Sequence, residues 1–193
     1  MNRDVKRKIY TLAIISFVFA IITVLIYHSG WDSIVHDYFS PVSESIFTTF
    51  MSYITLFGGR EAIIALFLIV LSILLYNKKY DYILFYLISV SGATVVNYEL
   101  KNLFQRVRPE IYGTEFAFPS GHTMASTVAF GALVLFLWPK NKRLAMSLLV
   151  FPILVGFSRV YLDVHWLSDV FGGFAFGSLW LMITFYLFFG WRK

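Results

Sequence analysis

The feature that most limits what this chain can fold into is its series of long apolar runs separated by short polar breaks. A helix needs about 20 apolar residues to cross the hydrocarbon core of a bilayer, and a soluble domain has no use for several such runs in succession. Read between the breaks, the runs predict spans over 9–27, 61–76, 81–103, 121–138, 144–162 and 167–190. Only 14% of the 193 residues are charged, against about a quarter in an ordinary soluble domain, so no separate soluble unit fits beside the spans. The expected fold is all-α: one membrane domain over 1–193, an integral bundle of six transmembrane helices.

Between the first two runs, residues 28–60 are mixed. Trp31, Ile34, Val35, Tyr38 and Phe39 recur at helical spacing among polar residues, and Pro41 interrupts them. This pattern predicts an interfacial helical segment on the outer side. The first run follows a basic stretch and so resembles a signal peptide. It is too long for one, and Tyr27-His28-Ser29-Gly30-Trp31 offers no small-x-small cleavage site, so it reads as an uncleaved span.

Charge placement sets the orientation. With both termini cytoplasmic, the inner segments carry Arg3, Lys6, Arg7, Lys8, Lys78, Lys79, Lys140, Lys142, Arg143, Arg192 and Lys193. The outer side keeps only Arg60, Lys101, Arg106, Arg108 and Arg159, in accord with the positive-inside rule. Basic residues scattered in this way between spans record topology, and they exclude a nucleic-acid surface despite the net charge of +5. The absence of cysteine removes disulfides, thiolate metal sites and cysteine nucleophiles. Cations retained on the unfavoured side call for another reason, because ionisable groups at membrane depth are costly and mark functional sites.

Three clusters supply that reason. Lys101 to Arg108 lies at the outer end of the third run; on a helix the two cations would share one face about two turns apart, with Pro109 ending the helix near Arg108. Arg presents a planar fork to phosphate oxygens, whereas Lys acts as a point charge. Phe118-Pro119-Ser120-Gly121-His122 opens the fourth run: Ser120 is placed to cap the helix, Gly121 admits an anion to the backbone, and the helix dipole favours negative charge. Arg159, Asp163, His165 and Asp169 follow across the fifth loop. The spacing of four would set the Asp169 carboxylate beside the His165 imidazole on a helix, fixing the ring tautomer. Each cluster also has a structural reading, as snorkelling cations, a plain cap or a structural His–Asp pair. Placed on one membrane face by a charge count that did not use them, the three together point to an anion site. Asp163, Glu110 and Glu115 read as loop or supporting residues, His28 and His36 as interfacial, Arg60-Glu61 as a local ion pair, and Asn97 and Glu99 as braces for the Lys101 end. The small residues Gly173, Ala175 and Gly177 read as a close helix–helix contact.

In these three motifs the sequence resembles the type 2 phosphatidic acid phosphatase superfamily. Lys101 with Arg108-Pro109 matches its first signature, Pro119-Ser120-Gly121-His122 the second, and Ser158-Arg159 with His165 and Asp169 the third. The resemblance implies a nucleophilic His165 oriented by Asp169, with His122 as acid and then base. Lys101, Arg108, Ser120, the Gly121 backbone N–H and Arg159 would bind phosphate, with no metal and no other cofactor. The implied substrate is a lipid phosphomonoester, phosphatidylglycerophosphate or phosphatidate, with undecaprenyl diphosphate as the alternative. Membrane lipids are the expected surroundings, with no nucleic acid and no obligatory protein partner. A transporter or lipid-binding protein using the same cations would carry polar residues through mid-bilayer, whereas here the charges gather at one face. A vanadate-dependent haloperoxidase would share the site but not the spans.

Overall fold

In the computed structural model the described residues are 3–27, 30–39, 44–109 and 116–190. His28, Pro41, Glu110, Glu115, Arg192 and Lys193 lie outside them, as do the side chains of Arg3, Lys6 and Lys8. The described chain is helical: α1 (Arg3–Ile26), α2 (Trp31–Phe39), α3 (Ile46–Leu56), α4 (Arg60–Tyr76), α5 (Tyr80–Phe104), α6 (Gly121–Leu137), α7 (Lys142–Ser147), α8 (Val150–Tyr161) and α9 (Leu167–Phe185), which runs on as the π-helical turn Tyr186–Gly190.

Each apolar run expected from the sequence is largely helical, with 144–162 divided between α7 and α8. Tyr80–Phe104, Lys142–Tyr161 and Leu167–Gly190 are long and apolar enough to cross a bilayer, and counting the bent pairs α1–α2 and α3–α4 as single spans raises the number to five. α6 is apolar but has 17 residues, and at 1.5 Å per residue it reaches about 26 Å. The interfacial stretch expected over 28–60 is two helices, and α3 joins α4 at 46°.

Which residues face inward explains why the chain suits lipid. α1 turns Leu12, Ile14, Ile15, Phe17 and Leu25 outward and buries Ser16, Ala20 and Thr23. α6 and α9 likewise bury Thr123, Ser126, Ala129, Ser168, Ala175 and Thr184. Lipid tails are as apolar as leucine, so helices in a bilayer associate through close packing of small residues and through interhelical hydrogen bonds. α9 packs chiefly against α1 and α6. Its small-residue stripe does the work expected of it: a Cβ on Gly173 would lie 2.7 Å from the Thr123 Cβ, and one on Gly177 3.2 Å from the Met124 carbonyl. Farther along α9, Ser89 and Thr184 hydroxyls meet at 2.9 Å and Trp180 Nε1 donates to the Ser89 carbonyl at 2.9 Å, tying α5 to α9. A core of Phe85, Tyr86, Met124, Val128 and Leu181 fills the space between α5, α6 and α9.

The break between α7 and α8 traces to Pro152, which has no N–H to offer the Leu148 carbonyl. That carbonyl accepts from Phe151 instead, at 3.3 Å. At the other end of the bundle the C-termini of α5 and α8 meet the N-termini of α6 and α9, and all three sequence clusters lie there.

Candidate active site

The first cluster is built differently from the helical face expected of it. α5 stops at Phe104, where Gln105 takes a left-handed conformation (φ 46°) and its N–H closes onto the Lys101 carbonyl at 2.9 Å. The chain beyond is non-helical, so Arg108 is not two turns from Lys101 on one helix. In extended chain, residues two apart share a side. Arg106 and Arg108 accordingly both turn toward the α8–α9 connection, Arg106 to Ser168 and Asp169 and Arg108 to the Val164 carbonyl at 3.4 Å. Val107 between them is exposed, and its carbonyl accepts from Trp166 Nε1 at 2.9 Å. Lys101 Nζ donates to the Phe116 carbonyl.

Ser120 holds the N-cap position of α6, but its side chain does not make the capping bond expected. The buried hydroxyl accepts from Thr123 Oγ1 at 3.1 Å, while the Ser120 backbone N–H donates to the Asp169 carbonyl at 2.9 Å. That bond fastens the start of α6 to the first turn of α9. Asn97 Nδ2 donates to the Pro119 carbonyl at 3.1 Å, so Asn97 braces the turn before α6 rather than Lys101. A Cβ on Gly121 would stand 3.1 Å from Asn97 Oδ1.

His165 precedes α9 in the connecting turn, so its pairing with Asp169 does not come from helical spacing. Asp169 reaches back over the helix start: Oδ2 accepts the Trp166 backbone N–H at 3.0 Å and lies 3.2 Å from His165 Nδ1. An acidic residue in the first turn satisfies an open N–H and the helix dipole. Here it also orients an imidazole. With Nδ1 held, Nε2 is the ring nitrogen left for chemistry. Burial, reinforced by Arg159, Arg108, Lys101 and Arg106, holds the His165 pKa well below 6.5. Arg159 donates from Nη1 to Thr55 Oγ1 at 2.9 Å, while its buried Nε has no partner among the described residues.

His122 stands within electrostatic reach of Arg159, His165, Arg108 and Lys101. The α3–α4 turn closes over it. A Cβ on Gly58 would meet Val155 Cγ1 at 2.5 Å and the His122 carbonyl at 2.9 Å, and one on Gly59 would lie 3.8 Å from His122 Nε2. From His122 a cleft of about 480 Å³ runs between α4, α5 and α6, lined by Gly58, Arg60, Asn97 and Gly121 near the site and by Ile63, Phe67 and Val90 farther along.

The structure thus brings the eight residues singled out by sequence to one end of the bundle. It adds others that sequence reasoning did not assign. Arg106 was noticed only as a base on the unfavoured side. Asp32, Ser168, Thr55, Gly58 and Gly59 had no motif to mark them. His36 and Asp163, read as interfacial and loop residues, form a pair at 2.7 Å, with the His36 ring 5.2 Å from that of Trp166. Asp163 is buried there and its φ of 56° is left-handed.

A helical membrane protein with cations, a hydroxyl and a carboxylate-held histidine gathered at one end of its bundle has the make-up of a membrane phosphatase. The PAP2 superfamily model matches residues 81–193, more than half the chain, and the protein belongs to that superfamily. It is 33% identical over 141 residues to phosphatidylglycerophosphatase B of Bacillus subtilis, a match covering 67% of this chain and 69% of the relative. It is 28% identical over 140 residues to undecaprenyl-diphosphatase BcrC of the same organism, covering 67% and 68%. Among solved structures it resembles the transmembrane PAP2-type phosphatidylglycerolphosphate phosphatase of B. subtilis, with a TM-score of 0.84 at 26% identity over 94% of this chain and 98% of that one. Aquifex aeolicus LpxE shares the fold, with a TM-score of 0.64 at 20% identity over 79% and 92%.

Proposed function

We propose that this phosphatase hydrolyses a lipid phosphomonoester, phosphatidylglycerophosphate before phosphatidate, through a phosphohistidine on His165. The observation that carries the reading is the gathering of Lys101, Arg108, Arg159 and His122 around a His165 whose Nδ1 faces Asp169. His165 Nε2 attacks phosphorus, the bond from phosphorus to the lipid oxygen breaks, and His122 delivers a proton to that oxygen. Water then attacks the phosphohistidine, His122 takes its proton, and inorganic phosphate leaves with His165 restored. Lys101, Arg108, Arg159, Ser120 and the Gly121 N–H stabilise the charge on the equatorial oxygens.

The site works without a metal in this reading. Among the described residues no three His, Asp or Glu side chains gather as a metal would require, and the cations take the charge-neutralising part. The cleft leading from His122 takes the lipid part of the substrate, its walls mostly apolar and Arg60 near its mouth. The whole chain acts as one domain of six spans, formed by α1, α4, α5, α6, α7–α8 and α9. Both termini are cytoplasmic and the site is on the outer face of the cell membrane. α2 and α3 lie on that outer side.

A second reading has one observation in its favour, the similarity to undecaprenyl-diphosphatase BcrC. In it the leaving group is a lipid phosphate rather than an alkoxide. Phosphate release by purified protein, measured with chelator on phosphatidylglycerophosphate, phosphatidate and undecaprenyl diphosphate, separates the two. The expected result is fastest turnover of phosphatidylglycerophosphate, unaffected by chelator and abolished in His165→Ala. Release by His165→Ala at the wild-type rate would remove the nucleophile, and loss of activity in chelator would remove the metal-free mechanism.

A further inference from the structure

Arg106 lies beside the phosphate-facing cations yet turns its hydrogen bonds to two carboxylates, the Ser168 hydroxyl and the Tyr27 carbonyl. Nη1 donates to Asp169 Oδ1 at 2.8 Å and to Ser168 Oγ at 2.6 Å, and Nη2 to Asp32 Oδ2 at 2.7 Å. The guanidinium sits 4.4 Å from the Tyr27 ring centroid and 5.2 Å from that of Trp166. Asp32 in turn accepts the Ser168 N–H at 2.9 Å through Oδ1 and the Ser168 hydroxyl through Oδ2. Asp169 therefore has both oxygens engaged, one by Arg106 and the other by Trp166 N–H and His165 Nδ1. The side chains of Arg106, Asp32 and Asp169 are 13%, 6% and 0% exposed, so water does not dilute these contacts.

Charge makes the pairing more than a brace. Arg106 alone would cancel the charge of Asp169 and leave nothing to offset a cationic imidazole. Asp32 restores the missing anion, so two carboxylates and one guanidinium keep one net negative charge beside a neutral His165. Forming the N–P bond while Nδ1 keeps its proton makes the ring cationic, and the buried group then becomes neutral.

We propose that Arg106 and Asp32 are positioning residues for the reaction, a relay that aims the Asp169 carboxylate at His165 Nδ1 and balances the charge of the phosphorylated ring. This rests on the His165 reading above. Neither residue touches the phosphate in this account, so their loss slows chemistry and spares substrate binding.

The test compares kcat and KM of wild type, Asp32→Asn, Arg106→Lys and Arg106→Gln, with His165→Ala and Asp169→Asn as references, all purified in detergent and checked for folding by thermal melting. Partners that orient a metal-bound histidine are worth about 10- to 100-fold when removed, and the same scale is taken for this ring. On that scale Asp32→Asn should lower kcat about tenfold and Arg106→Gln about a hundredfold, each with KM within about twofold of wild type. Arg106→Lys should fall between wild type and Arg106→Gln, because one ammonium cannot span both carboxylates as a guanidinium does. Asp32→Asn added to Asp169→Asn should cost nothing further. Full kcat in folded Asp32→Asn and Arg106→Gln, with His165→Ala inactive, would overturn the relay and leave the nucleophile standing. Additive losses in the double variant, or a rise in KM matching the fall in kcat, would overturn it too. Activity in His165→Ala would instead overturn the reading on which the relay rests.

Discussion

At the scale of single residues, the proposed nucleophile His165 is marked by the state in which it waits. Burial and four neighbouring cations disfavour its protonation, so in the free enzyme it is a neutral base well below pH 6.5. The unfolded chain protonates this ring near the ordinary value of 6.5, so below that pH the unfolded state binds the extra proton. The contribution of His165 to stability is therefore complete above pH 6.5 and falls with acidification until the folded ring protonates. Thermal melts of solubilised protein from pH 7.5 to 5 should show wild type losing more Tm than His165→Asn, and parallel curves would refute the neutral resting state. That His165, His122, Asp169, Lys101, Arg108 and Arg159 gather at one end of the bundle could be read from the sequence, because they fall in three short clusters at the ends of apolar runs. Arg106 and Asp32 were not, because their roles depend on a contact across 74 positions that no local pattern records.

At the scale of elements, the site depends on where helices stop. Sequence reasoning ended α5 near Arg108 because of Pro109, but Gln105 ends it earlier in a left-handed turn, a conformation that glycine would have signalled and glutamine does not. Likewise the spacing of His165 and Asp169 suggested a shared helix face, whereas a helix start and its first-turn carboxylate make the pair. The α3–α4 turn is the other end that matters. Gly58 lets it close on Val155 and on the His122 backbone, with no room for a Cβ. Gly58→Ala must push the turn away from α6 and α8, and overpacking of this kind costs about 1–3 kcal/mol. The expected outcome is a lower Tm together with weaker phosphate release, since the wall beside His122 moves. Wild-type kinetics in folded Gly58→Ala would show that the turn does not position His122.

At the scale of the whole molecule, the apolar helices were the most legible part, because lipid demands long apolar runs and leaves little freedom in their length. The way they assemble was not legible, since many large apolar residues face outward and part of the helix packing runs through Gly, Ala, Ser and Thr, which carry little signal of their own. Orientation is the one global property that the charge pattern predicts and the helices by themselves do not. The basic residues of the α4–α5 turn, Lys78 and Lys79, should be cytoplasmic, and the segment bearing Arg106 and Arg108 should face outward. A chain without cysteine makes the test direct, because any introduced thiol is the sole target. Val107 is 74% exposed on that outer segment, and Lys78 is exposed in the opposite turn. In intact cells a membrane-impermeant maleimide should label Val107→Cys, while Lys78→Cys should react only after the membrane is opened. The reverse pattern would put the candidate site on the cytoplasmic face, and the count of basic residues would then have misread the topology.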